Sequence, residues 1–173
     1  EKKFIAALHD ALSLCRDKRL HIWTNRIPPQ YLEGFERFIQ DHHKIKDEVD
    51  GGREGFIEFL RNGTLLWCEG KRCKYCFLKN FCSDLRITKK NGEIISQKEP
   101  LCLKQFSKKQ EIFKLIGAHE RDLDKFTDFY IRRRYSAKSI TCASCRYAPG
   151  CGGAPIAVIK KRGFRILKPI IKK

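Results

Sequence analysis

Two cysteine runs of identical spacing constrain this chain more than any other feature. Both have the form Cys-x2-Cys-x5-Cys. One further cysteine precedes each run, Cys68 before the first and Cys102 before the second. Thiolate is a soft ligand that selects zinc, copper(I) or iron–sulfur clusters. The pattern therefore predicts two metal centres of four thiolates each. The predicted ligands are Cys68, Cys73, Cys76 and Cys82 for the first centre, and Cys102, Cys142, Cys145 and Cys151 for the second.

The spacing favours iron–sulfur over zinc. A structural zinc site usually combines two short Cys-x2-Cys turns, whereas each run here places three cysteines along one stretch, which suits a 4Fe–4S cube. Zinc remains the alternative. Cys102 is assigned to the second centre by elimination and could instead serve the first. Cys15 lies far from both runs, on the apolar face of a predicted helix, and is expected to be a packed thiol.

Disulfides are the third interpretation of these cysteines. Nine cysteines in 173 residues are fewer than disulfide scaffolds carry, and their number is odd. The first residues, EKKFIAALHDALSLCRDK, are charged and amphipathic and do not resemble a signal peptide. No apolar stretch is long enough to cross a membrane. We therefore expect a soluble cytoplasmic protein and no membrane partner. The absence of Met indicates that an N-terminal portion has been removed or that the sequence is part of something larger.

Charge divides the chain in two. Residues 1–60 hold ten Lys and Arg against eleven Asp and Glu, whereas residues 61–173 hold 27 against nine, a net charge of +18. Cluster thiolates would offset part of this surplus. The remainder indicates a nucleic-acid or acidic partner. Because so strongly charged a segment repels itself, bound metal is predicted to be structural for residues 61–173.

The spacing of apolar residues, together with the glycines and prolines that end helices and strands, predicts the secondary structure. We expect helices over 3–15, from Gln30, over 53–62 with Gly63 as terminator, over 108–118 and 121–135, and from beyond Cys151 to Arg162 with Gly163 as terminator. A strand is predicted over 19–25 and an extended segment over 64–67. Asn91-Gly92 within LRITKKNGEIIS predicts a β-hairpin. His42 and His43 are expected at a loop or helix end, as a poor metal site.

The cysteine segments resemble the auxiliary-cluster region, of the SPASM/twitch type, of radical S-adenosylmethionine enzymes. The resemblance rests on GTLLWCEGKRCKYCFLKNFC, which contains Gly63-x4-Cys68 before the first run, and on CASCRYAPGCGGAP around the second. HIWTNRIPPQYLEGFERFIQD is similar to the closing strand and helix of such an enzyme's partial barrel. The resemblance implies an α+β fold, in which residues 1–60 are the end of a barrel-like α/β unit. Residues 61–173 would form a small mixed domain, stapled by metal, with a hairpin and short helices.

The sequence departs from that family in two ways. Pro155 stands where the last cysteine of the family pattern would be, four positions beyond Cys151. The Cys-x3-Cys-x2-Cys motif of the catalytic cluster is absent. S-adenosylmethionine would therefore be bound only by a barrel outside these residues, either in the chain's own upstream sequence or in a separate partner chain. No catalytic residue is assigned here.

The resemblance implies two auxiliary 4Fe–4S clusters that transfer electrons or bind a peptide or other substrate. Cations beside the runs would raise the cluster potentials, and glycines would let the backbone approach a cube. These residues are Lys71, Arg72, Lys74, Lys79 and Arg146, and Gly150, Gly152 and Gly153. The alternative function is a metal-stapled module, with zinc or iron–sulfur, that binds nucleic acid through the basic surface of 61–173. No hydrolytic triad or phosphate-binding loop is recognisable.

Overall fold

The computed structural model describes residues 2–15, 17, 19, 22, 24, 27–64, 70–103, 110–117 and 119–171. These residues form a mainly helical α+β protein, which confirms the predicted class, and their strands close no barrel. The helices are α1 (Lys2–Leu14), α2 (Lys44–Gly51), α3 (Arg53–Asn62), α4 (Lys79–Asn91), α5 (Glu120–Arg133) and α6 (Ile156–Arg162). The strands are β1 (Glu93–Ile95), β2 (Ile112–Lys114), β3 (Ser136–Ala137) and β4 (Ala154–Pro155).

The strands make two small antiparallel sheets. In the first, β1 pairs with β2 so that Ile94 lies opposite Phe113. In the second, β3 pairs with β4, and Ala137 lies opposite Ala154. Short 3-10 turns connect many of the other elements, and two of them, at Lys71–Tyr75 and Ile140–Ser144, carry cysteines.

A helical core lies between α2, α3, α4, α5 and β1. Its centre is Phe81, which is 1% exposed. The Phe81 ring makes edge contacts with Phe56, Phe126 and Tyr130 at centroid distances of 5.6, 5.2 and 5.2 Å. Each such aromatic pair adds roughly 0.5–1.5 kcal/mol beyond the area that it buries. This cluster holds α4 and α5 together.

A second core joins α1 and the 3-10 turns of 29–38 to β3, β4 and α6. Its buried members are Leu12, Leu32, Phe38, Ile39, Ala137, Ala154, Ile156, Ile159, Phe164 and Leu167. Each core thus draws residues from both sides of residue 60. Of the described residues, Tyr135 is the one that packs against both cores.

The predicted Asn91-Gly92 hairpin is wrong. Residues 79–91 form α4, and Gly92 ends the helix in the left-handed conformation at φ 76°. Phe81, Leu85 and Thr88 are buried at helical spacing, which favours the helix. A type I′ turn and a helix C-cap both need positive φ, so the dipeptide alone does not distinguish them.

Four other predictions also differ from the structure or lie partly outside it. The segment predicted as a helix over 108–118 contains β2 instead. The helix predicted from Gln30 is two 3-10 turns, Pro29–Leu32 and Glu36–Phe38, separated at Gly34 with φ 86°. Within the predicted strand 19–25, only residues 19, 22 and 24 are described, and Thr24 forms a parallel bridge with Ile39. Residues 65–67 of the predicted extended segment lie outside the described part.

The remaining helices are confirmed. α3 ends at Gly63, whose φ is 82°, and α6 ends at Gly163, whose φ is 76°. α1 and α5 also occupy their predicted positions.

Candidate metal centre and adjoining cavity

Two tight turns carry the second cysteine run. The Cys145 N–H donates to the Cys142 carbonyl at 3.0 Å, and the Cys151 N–H donates to the Ala148 carbonyl at 3.4 Å. The Ser139 hydroxyl accepts from the Thr141 N–H at 3.1 Å and so caps the first turn. Serine favours this position because its short side chain reaches the backbone two residues on. The cysteines are therefore presented from turns, in partly buried positions.

Four cysteines line one small cavity. They are the predicted set of the second centre: Cys102, Cys142, Cys145 and Cys151. The cavity has a volume of about 20 Å³, and apolar residues such as Leu101, Leu167 and Ile170 complete its wall. Cys102 comes from a segment forty residues before Cys142 and shares this wall with the run. The four thiols form no disulfide.

Backbone N–H groups point at two of these sulfurs. Ile170 N lies 3.4 Å from Cys145 Sγ, and Gly153 N lies 3.4 Å from Cys151 Sγ. The Ile170 N–H lowers the pKa of the Cys145 thiol, whereas burial raises the pKa of Cys142. Donors of this kind stabilise thiolate, which is the metal-binding form of cysteine.

Two of the three predicted glycines stand at close approaches. At Gly153, with φ 84°, a Cβ would lie 2.1 Å from the Ala137 carbonyl oxygen. At Gly152 a Cβ would lie 2.3 Å from Gln97 Oε1, so this glycine makes room for a side chain. A Cβ at Gly150 would meet nothing within 4 Å.

The first run is arranged differently. Cys73 and Cys76 belong to the turn at Lys71–Tyr75, where the Cys76 N–H donates to the Cys73 carbonyl at 3.2 Å. Cys82 lies in α4 and is buried in the helical core, against which Cys76 also packs. Cys68 is outside the described residues. The first ligand set therefore stays a prediction. Cys15 packs against the second core, as expected of a packed thiol.

No three cysteine sulfurs of the described residues lie within 4.8 Å of one another. Asp41, His42 and His43 are the one group there whose potential ligand atoms do. The turn before α2 brings these neighbours together, but Lys160 Nζ is 3.5 Å from the Asp41 carboxylate. The positive end of α2 is adjacent as well. Both features disfavour a cation, and burial lowers the pKa of His42.

The cations predicted to tune the clusters are mostly exposed. Lys71, Lys74 and Lys79 lie on the surface beside the first run. Lys74 Nζ is 5.2 Å from the centroid of the Tyr75 ring, and the Arg146 guanidinium is 4.6 Å from that of Tyr147. The side chain of Arg72 is outside the described part of the molecule.

A second, much larger cavity separates the two cores, and we call it the junction cavity. Its volume is about 920 Å³, and its walls come from both cores. Cys76 of the first run and Cys142 of the second both line it. Cys142, Ala148 and Lys138 line the junction cavity and the small thiol cavity alike, so the two spaces adjoin.

The junction cavity carries polar groups that sequence patterns do not reveal. Asp84 and Arg134 form an ion pair in its wall, with Arg134 Nε 2.7 Å from Asp84 Oδ2. Gln40 is 7% exposed, and its Oε1 has no hydrogen-bond partner among the described residues. The same holds for the buried Oε1 of Gln97. Nothing in the local sequence distinguishes these glutamines, because the cavity forms only when the cores meet.

Comparisons with known proteins add no relative. No family model matches the chain, and neither do curated proteins or solved structures. Among the described residues, no helix has the length and apolar character needed to cross a membrane.

Proposed function

We propose that this chain is the auxiliary iron–sulfur cluster region of a radical S-adenosylmethionine enzyme. The observation that carries the proposal is the convergence of Cys102, Cys142, Cys145 and Cys151 on one cavity. The family pattern lacks its last cysteine here, at Pro155, and the wall position of Cys102 makes it a candidate for the missing ligand.

The residues around this cavity fit a thiolate-bound group. Four sulfurs are available, two of them accept backbone N–H groups, and Gly153 allows the chain to approach closely. When bound, a 4Fe–4S cluster would supply one-electron transfer or an iron atom that binds substrate. The protein's part is to hold the thiolates, to donate hydrogen bonds to them and to exclude water.

Iron and zinc make different demands on this cavity. A tetrahedral zinc with Zn–S bonds of about 2.3 Å needs the four sulfurs drawn tightly together. No three of the described sulfurs lie within 4.8 Å of one another, so zinc would require them to move together. A volume of about 20 Å³ is close to that of one water, so a cube also requires the surrounding loops to move apart.

Anaerobic reconstitution with iron and sulfide tests the proposal. Two cubes correspond to about eight irons per chain, with the brown colour of iron–sulfur proteins and a paramagnetic signal after reduction. Cys145→Ser should lower the iron content by about half because each cube holds four irons. Cys15→Ser is the matched control and should leave it unchanged. A colourless chain that keeps stoichiometric zinc and takes up no iron would contradict the proposal.

A second function, the binding of single-stranded nucleic acid, is favoured by two cation–aromatic pairs in residues 61–173. Tyr75 is 60% exposed beside Lys74, and Tyr147 is 37% exposed beside Arg146. Exposed rings next to cations suit single-stranded nucleic acid, where each stacked base contributes roughly 1–3 kcal/mol.

Binding of a labelled single-stranded oligonucleotide at several salt concentrations tests this function. The affinity should fall steeply with salt and should drop when Tyr75 and Tyr147 are both replaced by Ala. Phe4→Ala, which removes an exposed ring from α1, is the control. Equal losses in the control and in the double variant would exclude stacking at these sites.

A further inference from the structure

A carboxylate from the N-terminal part of the chain contacts the turn that carries the second cysteine run. The Ser139 hydroxyl donates to the Glu33 carboxylate and lies 3.0 Å from Oε1 and 2.8 Å from Oε2. The Ile140 N–H donates to Glu33 Oε2 at 3.2 Å. These contacts span 106 and 107 residues of sequence, so they form only when the second core assembles.

Glu33 is also held in place on its own side. It follows Leu32, which is fully buried in the second core, and it lies between the two 3-10 turns of 29–38. The Phe35 N–H donates to the Leu32 carbonyl at 2.8 Å, which fixes the backbone on either side of Glu33. Hydrogen bonds to an ionised carboxylate are roughly twice as strong as those between neutral groups. Glu33 can therefore restrain the turn at Ser139 firmly.

The restraint reaches the cysteines through consecutive hydrogen bonds of the turn. Ser139 is 4% exposed, and its hydroxyl accepts from the Thr141 N–H while it donates to Glu33. Its carbonyl accepts from the Cys142 N–H at 3.0 Å, and the Cys142 carbonyl accepts from the Cys145 N–H at 3.0 Å. Glu33 therefore fixes the start of a stretch that presents two of the four thiols.

We propose that Glu33 is a positioning residue for the second metal centre, whose predicted ligands all lie beyond residue 100. Glu33 does not bind the metal; it sets the position of Cys142 with respect to the other thiols of the small cavity. Groups that orient metal ligands in this way matter for affinity, and their loss weakens metal binding by roughly 10–100-fold. A metal at this centre rests on the proposed function, whereas the restraint on Cys142 is a property of the metal-free chain.

Release of iron from the reconstituted full chain to a chelator tests the effect on the metal. Glu33→Ala should release the iron of one cube, about half of the total, roughly tenfold faster. Glu33→Gln keeps an acceptor oxygen for Ser139 and Ile140 and should release iron at close to the original rate. Glu36→Ala is the matched control, because Glu36 lies in the same segment but accepts from the Phe164 N–H, at 2.9 Å, on the turn after α6. It should leave the release rate unchanged.

Alkylation of the metal-free chain with iodoacetamide, followed at each cysteine by peptide mass spectrometry, tests the restraint itself. Cys142 is partly buried, so Glu33→Ala should raise its alkylation rate several-fold, while Cys82, in the helical core, keeps its rate. Circular dichroism establishes that each variant is folded. The proposal is overturned if Glu33→Ala leaves the Cys142 rate unchanged, if Glu36→Ala raises it as much, or if Glu33→Gln releases iron as fast as Glu33→Ala. A chain that takes up no iron would reject the proposed function, and the alkylation rates would still decide the role of Glu33.

Discussion

Arg134 holds Asp84 through two parallel hydrogen bonds of 2.7 and 2.8 Å across fifty residues of sequence. The third arm of the guanidinium donates to the Ile95 carbonyl at 2.7 Å. One side chain thus ties the residue after α5 to α4 and to β1, in the wall of the junction cavity. Both side chains are mostly buried, at 18% and 12% exposure.

Replacing Arg134 by Met should destabilise the fold by about 3–5 kcal/mol, because it leaves the Asp84 carboxylate buried without its counter-ion. Adding Asp84→Asn to Arg134→Met should recover part of that loss. The measurement is the free energy of urea unfolding for the two single variants and the double variant. Strict additivity of the two changes would show that the pair is not coupled.

Gly153→Ala should be far more damaging than Gly34→Ala. Both glycines have φ near 85°, at 84° and 86°, so each alanine bears the cost of the left-handed conformation, about 1–2 kcal/mol. Only at Gly153 does the new Cβ also collide with a backbone oxygen, that of Ala137, while Gly34 faces open space. Thermal unfolding of both variants gives the comparison. Equal shifts in Tm would contradict the close approach of β3 and β4.

If the second thiol set holds the proposed metal, removing it should loosen α1 together with α6 and the second sheet. Cys102 and Cys142 pack against the second core, which contains Leu12 of α1 as well as Ile156 and Ile159 of α6. Hydrogen exchange before and after chelation would locate the change. Exchange that rises throughout 61–173 while α1 stays protected would instead support the division of the chain at residue 60.

Alkaline pH should destabilise the protein through Tyr135. Burial raises the pKa of its phenol to about 12. A group whose pKa is raised on folding contributes stability that is complete below its unfolded value, about 10, and lost as the pH climbs through the folded value. Tyr135→Phe keeps the ring but cannot ionise. Between about pH 10 and about pH 12, its free energy of unfolding should therefore fall less than that of the unsubstituted protein. An unchanged pH profile would exclude Tyr135 as a source.

The parts of this fold that sequence predicts are those set by local physics. α3 and α6 combine an apolar stripe with a glycine terminator, and these local features are enough to predict both helices. The backbone preference of Asn91-Gly92 suits a hairpin turn and a helix end equally, and only the burial of Phe81 and Leu85 decides between them.

The candidate site is likewise predicted by the sequence only where local spacing determines it. Spacing identifies Cys142, Cys145 and Cys151, but the approach of Cys102 depends on how distant loops pack. Gln40 carries no local signal at all, because its significance comes from a cavity whose opposite wall lies about a hundred residues further along the chain.

Tyr135 is the described residue that packs against both cores, and it also lines the junction cavity. The Tyr135 ring meets Phe77 edge-on at 6.0 Å and lies nearly parallel to Tyr130 at 6.2 Å, both on the helical-core side. Its carbonyl accepts from the Ile156 N–H, at the start of α6, at 3.0 Å. Any change at this ring is therefore felt in both cores at once, so we expect Tyr135→Ala to loosen the helical core and the second core together.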